Sequence, residues 1–331
     1  MITAEPLLVT LVKLVDCIPV PPEPAKRSRG HPKVYSDRLF LKALIIMLVR
    51  HLRKVHELLA VLAEPTAEME MLRTLLTEHG RYPTRRTWER RLKAMPATLP
   101  AQIGCLGRYL VALLQPWAAY GRAVAVDSTI LLANGGVWHK KDRDKGVVPH
   151  TSIDTEAHWT KSGWHGWRYG WTAQRTVHWV ATAAAVWIPL AAELTPANEA
   201  DNEVAPALLR ELPAEARFVL GDLHYHAPNV QEACDQAGRI LVTTQYGPYP
   251  HTGDGVGVRR VFHQLRSLAI ENFNEQFKGI FDGHGQVPTK GLRNTQRFAL
   301  GAILLYQLAL LYRFQHDQPL RIGLKAFLKA A

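Results

Sequence analysis

Ala123-Val124-Ala125-Val126-Asp127-Ser128 is an apolar run closed by a carboxylate, and Phe218-Val219-Leu220-Gly221-Asp222 repeats the pattern further along the chain. Short Val- and Ala-rich runs bounded in this way predict buried strands. A carboxylate at the C-terminal end of such a strand sits at the sheet edge where α/β folds bind ligands. Two such strands side by side bring their carboxylates together, and like charges that close repel unless a divalent cation holds them. Oxygen donors of this kind suit Mg²⁺ or Mn²⁺. Either aspartate alone reads equally well as a turn or N-cap residue.

Outward from these two strands, the texture of the chain changes on either side. Arg168–Ala184 and Val186–Leu194 read as paired strands, Glu199–Leu212 and Asn229–Gln236 as helices, and Ile240–Thr244 as a further strand. Strands followed by alternating helix and strand predict an α/β domain with a mixed sheet. Before Gly121 the signals are helical. Ser36-Asp37 caps a helix that the apolar pattern extends toward Leu62, Glu68–Glu78 is closed by His79-Gly80, and Pro83-Thr84 starts a third. Ala101–Leu114 follows Pro100, while prolines and cations at 19–33 predict an extended basic linker. The expected division is a helical region at 1–120 and an α/β domain at 121–331.

Charge follows the same division. Of 40 Lys+Arg and 29 Asp+Glu, residues 1–120 carry 18 and 10, residues 121–257 carry 11 and 15, and residues 258–331 carry 11 and 4. Basic ends favour a polyanion, because each neutralised phosphate releases condensed counterions. An acidic middle inside such a chain suggests carboxylates kept for metal. Cys17, Cys105 and Cys234 lie too far apart for a disulfide framework or a cysteine zinc site and fit a reducing compartment. The start lacks the pattern of a signal peptide. Ala43–Val49 and Phe298–Tyr312 are shorter than the roughly 18–20 residues of a membrane span, so no membrane partner is expected.

Other residues could take part. In Ile270-Glu271-Asn272-Phe273-Asn274-Glu275-Gln276-Phe277-Lys278, helical spacing puts Glu271, Asn274, Glu275 and Lys278 on one face beside an apolar one. Glu271 could complete a three-carboxylate site and Lys278 could reach a phosphate; an ordinary solvated face is the equal alternative. Thr84–Lys93 carries Arg85, Arg86, Arg90 and Lys93 around Trp88, either a groove-reading helix or a solvated basic one. Trp159, Trp164, Trp167 and Trp171 with Arg168 could stack on bases or pack in a core. His224 and His226 lack a third soft ligand. Asp154, Glu156 and Asp201 could be spare metal ligands, with loop or cap roles the favoured reading.

In order and spacing, Ala125-Val126-Asp127-Ser128-Thr129, Thr195-Pro196-Ala197-Asn198 with Asp201, Leu220-Gly221-Asp222 and the Glu271-to-Lys278 helix resemble the DDE transposases of bacterial insertion sequences, in the insertion sequence four superfamily. The resemblance covers roughly 121–315. It implies a ribonuclease-H-like mixed sheet with flanking helices, with Asp127, Asp222 and Glu271 as catalytic residues holding two Mg²⁺ or Mn²⁺ ions. It also implies that Lys278 contacts DNA near the reacting end. The family's Tyr and Arg before the Glu are replaced by Gln264 and Ser267, with Arg266 or Arg260 standing nearby. The expected function is a cytoplasmic bacterial transposase. As a homodimer on double-stranded DNA it would bind terminal inverted repeats, cleave the ends and join them to target DNA. Its DNA contacts are expected from Lys278, Arg266, Arg168, Arg85, Arg86, Arg90 and Lys93. The alternatives are a metal-dependent nuclease and a catalytically silent DNA-binding protein.

Overall fold

The computed structural model describes residues 5–21, 34–115, 117, 122–132, 138–156, 161–162, 166–167, 174–243, 256–281, 287–321 and 323–329. The N-terminal helices are α1 (Leu7–Leu14), α2 (Asp37–Val49), α3 (Val55–Leu62), α4 (Ala67–Leu75), α5 (Arg85–Ala94) and α6 (Leu99–Leu114). Side-chain oxygens start three of them. Ser36 Oγ accepts from the Leu39 N–H, Thr66 Oγ1 from that of Met69 and Thr84 Oγ1 from that of Thr87, each at 3.3 Å.

Two expected boundaries are corrected. The helix from Asp37 does not run on toward Leu62 but stops at Val49. His51 takes a left-handed φ of 53°, and Glu57 then accepts from the N–H groups of Arg53 and Lys54 to open α3. The helix expected to reach Glu78 ends at Leu75, and Glu78 pairs with Arg81 around His79 and Gly80, both at positive φ.

The second half runs β1 (Ala123–Leu132), α7 (Lys140–Asp144), β2 (Lys161–Ser162), β3 (Gly166–Trp167), β4 (Gln174–Thr182), β5 (Pro189–Pro196), α8 (Asp201–Arg210), β6 (Phe218–Gly221), α9 (Pro228–Gln236), β7 (Ile240–Thr243), α10 (Val256–Gly279), α11 (Leu292–Gln315) and α12 (Leu324–Leu328). The main sheet has the order β5-β4-β1-β6-β7. β1, β4 and β5 form an antiparallel meander, while β6 and β7 lie parallel to β1. A meander continued by parallel crossovers on the far side of its first strand is the ribonuclease-H-like arrangement. β2 and β3 form a separate small pair.

Helices cover both faces of the sheet. α10 packs over β1 and β6, and α8 packs over β4 and β5 with α9 beside it. Alternation along β1 separates these contacts: Asp127 reaches α10, whereas its neighbour Ser128 reaches α8. α11 runs through the core against α6, β5, α1 and α2, so the N-terminal helices and the sheet domain share one apolar cluster. α11 is longer than the apolar stretch within it suggests and is long and apolar enough to cross a membrane, yet its apolar part is 83% buried in the protein. Gln307, itself buried, donates from Nε2 to the carbonyls of Ile103 and Pro189 at 2.9 Å each, tying α11 to both α6 and β5. The three cysteines are free thiols.

Candidate active site

β1 and β6 set the two aspartates. Their parallel register pairs Val124 with Val219 and Ala125 with Leu220, and the next residues on the same pleat are Asp127 and Asp222. One expectation is corrected here: Asp127 does not end its strand. β1 runs on to Leu132, paired with β4 as far as Gln174, because Thr129-Ile130-Leu131-Leu132 keeps strand-forming residues. What ends near Asp127 is the parallel neighbour, since β6 stops at Gly221. Asp222 then caps a 3₁₀ turn, its Oδ1 accepting from the His224 N–H at 2.8 Å. Its Oδ2 lies 3.2 Å from His224 Nδ1 and 3.9 Å from a guanidinium nitrogen of Arg266.

Asp127 is held from α10. Asn274 donates from Nδ2 to Asp127 Oδ2 at 3.3 Å and accepts from the Trp179 indole N–H at 3.1 Å. Trp179 lies directly opposite Asp127 on β4, so one amide side chain fixes both. Burial pushes the Asp127 carboxyl up to about 7; a backbone hydrogen bond from Ser128 and the charge of Arg266 work against this, and the like charges of Asp222 and Asp201 reinforce it. Lys278 is half-buried, and burial lowers its pKa while the Asp127 charge opposes that shift.

Asp201 opens α8 on the opposite face of the sheet. Burial works to raise its pKa, but hydrogen bonds from His178 and Ser128 prevail and hold the carboxyl below its usual range. His178 is fully buried, with Nδ1 3.2 Å from Asp201 and Nε2 2.9 Å from Thr195 Oγ1. Tyr225 closes the 3₁₀ turn that follows Asp222; it is 1% exposed, and its hydroxyl has no hydrogen-bond partner. Burial, then the charges of Asp201, Asp127 and Asp222, push that phenol well above its usual range.

The structure therefore brings Asp127 and Asp222 into one electrostatic cluster with Arg266, and sets Lys278 within reach of the Asp127 charge. Glu271 is not drawn in. It lies on the exposed side of α10, one turn before Asn274, and is not among the charges that act most on Asp127. Among the described residues no three His, Cys, Asp or Glu side chains stand close enough to cage a metal ion. Asp154 and Glu156 serve as caps, accepting from the Gly291 and Leu292 N–H groups at the start of α11, and Asp154 also pairs with buried Arg175 at 2.7 Å. His226 bonds Thr243 through Nδ1.

Arg85, Arg86, Arg90 and Lys93 are exposed on α5, with Arg85 paired to Glu89 at 2.8 Å. Trp88 is buried from that helix edge-on to Phe40 and Tyr82. Arg168, the linker at 22–33 and the side chains of Trp159, Trp164, Trp167 and Trp171 lie outside the described residues. Sequence reasoning gave no role to Asn274 or Tyr225 and favoured a loop or cap role for Asp201. The helical spacing around Glu271 already placed Asn274 on the relevant face, whereas nothing local marks Tyr225.

Residues 121–308 match the family described as Transposase DDE domain. No curated protein matches the chain significantly. Solved structures that it resembles include the Mos1 transposase paired-end complex with left transposon end, at 12% identity and a TM-score of 0.24 over 75% of this chain and 80% of that one. The Mos1 strand transfer complex is similar at 12% identity and a TM-score of 0.26, over 89% and 81%.

Proposed function

Because the chain belongs to the Transposase DDE domain family, which spans residues 121–308, we propose that it is a bacterial insertion-sequence transposase of the insertion sequence four superfamily. It binds the terminal inverted repeats of its element, cleaves the ends and joins them to target DNA. The observation that carries this reading is the pairing of Asp127 and Asp222 at the end of the β1–β6 ladder, inside the residues that match the family.

Asp127 and Asp222 offer the carboxylate oxygens that divalent metal takes, and a buried carboxylate in the field of other carboxylates is unfavourable without a cation. Asp127 and Asp222 would hold the ions; Glu271, which stands on the exposed side of α10, would complete the set only once brought to them. Bound there, a pair of Mg²⁺ or Mn²⁺ ions supplies an activated nucleophile and neutralises charge on the leaving oxygen. The protein's own part is orientation. Asn274 fixes one oxygen of Asp127, and Lys278 meets a phosphate beside the reacting end. Water adds at phosphorus as the 3′ oxygen departs, and the freed 3′-OH then attacks a target phosphodiester and displaces its 3′ oxygen. Joining two ends calls for a homodimer on DNA, with residues 1–120 as the DNA-binding region and α5 presenting Arg85, Arg86, Arg90 and Lys93. The protein would act on double-stranded DNA in the bacterial cytoplasm.

The test is cleavage of a duplex bearing the element's terminal inverted repeat, with Mg²⁺ or Mn²⁺. Wild type should cut at the repeat, and Asp127→Ala, Asp222→Ala and Glu271→Ala should each lower the rate by several orders of magnitude. Equal products from wild type and Asp127→Ala would refute the assignment.

A further inference from the structure

Away from the carboxylates, a groove of about 600 Å³ lies where the starts of α3, α5 and α11 meet. Arg53, Lys54, Arg85, Lys290 and Arg297 line it against a single carboxylate, Glu89, which is already paired to Arg85. The acids close by are bonded elsewhere: Asp154 to Arg175 and the Gly291 N–H, Glu156 to the Leu292 N–H, and Glu57 to the Arg53 and Lys54 N–H groups, where its charge also acts on Lys54. Two buried polar groups in the same wall have no partner. Arg297 is 7% exposed with its Nε unbonded, and Thr289 is 7% exposed with its Oγ1 unbonded. Arg297 pairs with no carboxylate among the described residues; its guanidinium carbon lies 5.1 Å from the centre of the Phe298 ring. Burial lowers its pKa to about 10, so it remains charged at neutral pH.

A mostly buried arginine with no carboxylate partner and a buried hydroxyl with none, both lining one cationic groove, point to an anion as its ligand. We propose that this groove takes the sugar-phosphate backbone of duplex DNA, with one phosphodiester against Arg297 and Thr289 and its neighbours against Arg53, Lys54 and Lys290. The inference rests on the transposase reading and adds to it a second place where DNA is gripped. Because α3 and α5 come from the N-terminal helices and α11 follows the sheet domain, a strand lying here touches both regions at once. Phosphate contacts position DNA and carry no sequence information, so the grip should be independent of sequence.

The test uses the full chain and fluorescence anisotropy with two labelled duplexes, one carrying the terminal repeat and one of random sequence, over a KCl series. Arg53→Gln with Lys290→Gln changes exposed side chains only, and Arg297→Gln removes the buried one. Each lost phosphate contact should reduce the slope of log affinity against log salt by about 0.9. The surface pair should therefore lose roughly two in slope and bind several-fold more weakly to both duplexes. If Arg297→Gln melts at a lower temperature, the surface pair decides alone. A surface pair that keeps wild-type slope and affinity would overturn the proposal, as would a loss confined to the terminal repeat. Wild type that cuts at element ends alongside variants of unchanged binding removes the groove and leaves the transposase reading intact. A surface pair that loses slope and affinity while wild type cleaves nothing with metal does the reverse.

Discussion

At the residue scale, Asp127 is where the fold bears a cost. Its ordinary pKa of 3.8 is raised to about 7 mainly by burial, so the folded protein holds this proton more tightly than the unfolded chain does. The associated stability is fully present below the unfolded pKa and is lost as pH rises through 7. In EDTA, the gain in Tm of Asp127→Asn over wild type should be greater at pH 8 than at pH 4. Added Mg²⁺ at pH 8 should raise the Tm of wild type and leave that of the variant unchanged. A gain in Tm independent of pH would show that Asp127 is not ionised at cost. Both aspartates were legible in the sequence because a carboxylate closing an apolar run is a local pattern. The contact of Asn274 with Asp127 arises only when α10 packs on the sheet, and Tyr225 is buried only by the turn after Asp222; short-range spacing does not encode either.

At the element scale, what was legible followed from contacts made within a few residues. Ser36 and Thr84 begin their helices as expected, because a hydroxyl capping an N–H three residues on needs no tertiary partner. The break after α2 and the continuation of β1 past Asp127 were not legible. The first turns on His51 adopting a left-handed φ without a glycine, and the second on β4 being available to pair. Close packing of elements gives a sharper test. In α6, a Cβ on Gly107 would lie 2.3 Å from the Pro189 carbonyl oxygen of β5 and 3.2 Å from Gln307 Nε2. Backbone at that distance cannot yield as a side-chain tip can. Gly107→Ala should therefore destabilise the protein by about 1–3 kcal/mol or more in urea titration, despite alanine's better helix propensity. Unchanged stability would mean that α6 and β5 are not in this contact.

At the scale of the whole molecule, the basic–acidic–basic layout of the chain takes on a physical form. The acidic stretch contains Asp127 and Asp222, which adjacent strands bring together, and Asp201 on the other face of the sheet; all three charges act on Tyr225. The basic ends meet across α3, α5 and α11 in the groove that contains Arg297. Mapped charge alone could suggest this separation of roles, but it could not indicate that cations from both ends line one groove, because that depends on α11 crossing the core. The chain belongs to the Transposase DDE domain family, and the proposed carboxylates are expected to join DNA ends to a target and not merely to cut. The most direct measurement supplies a terminal-repeat duplex already cleaved to a 3′-OH, a supercoiled target plasmid and Mg²⁺. Wild type should link the labelled end covalently to the plasmid, and Asp222→Ala should not. Cutting of both DNAs with no joined product, or joining that persists in Asp222→Ala, would contradict the account.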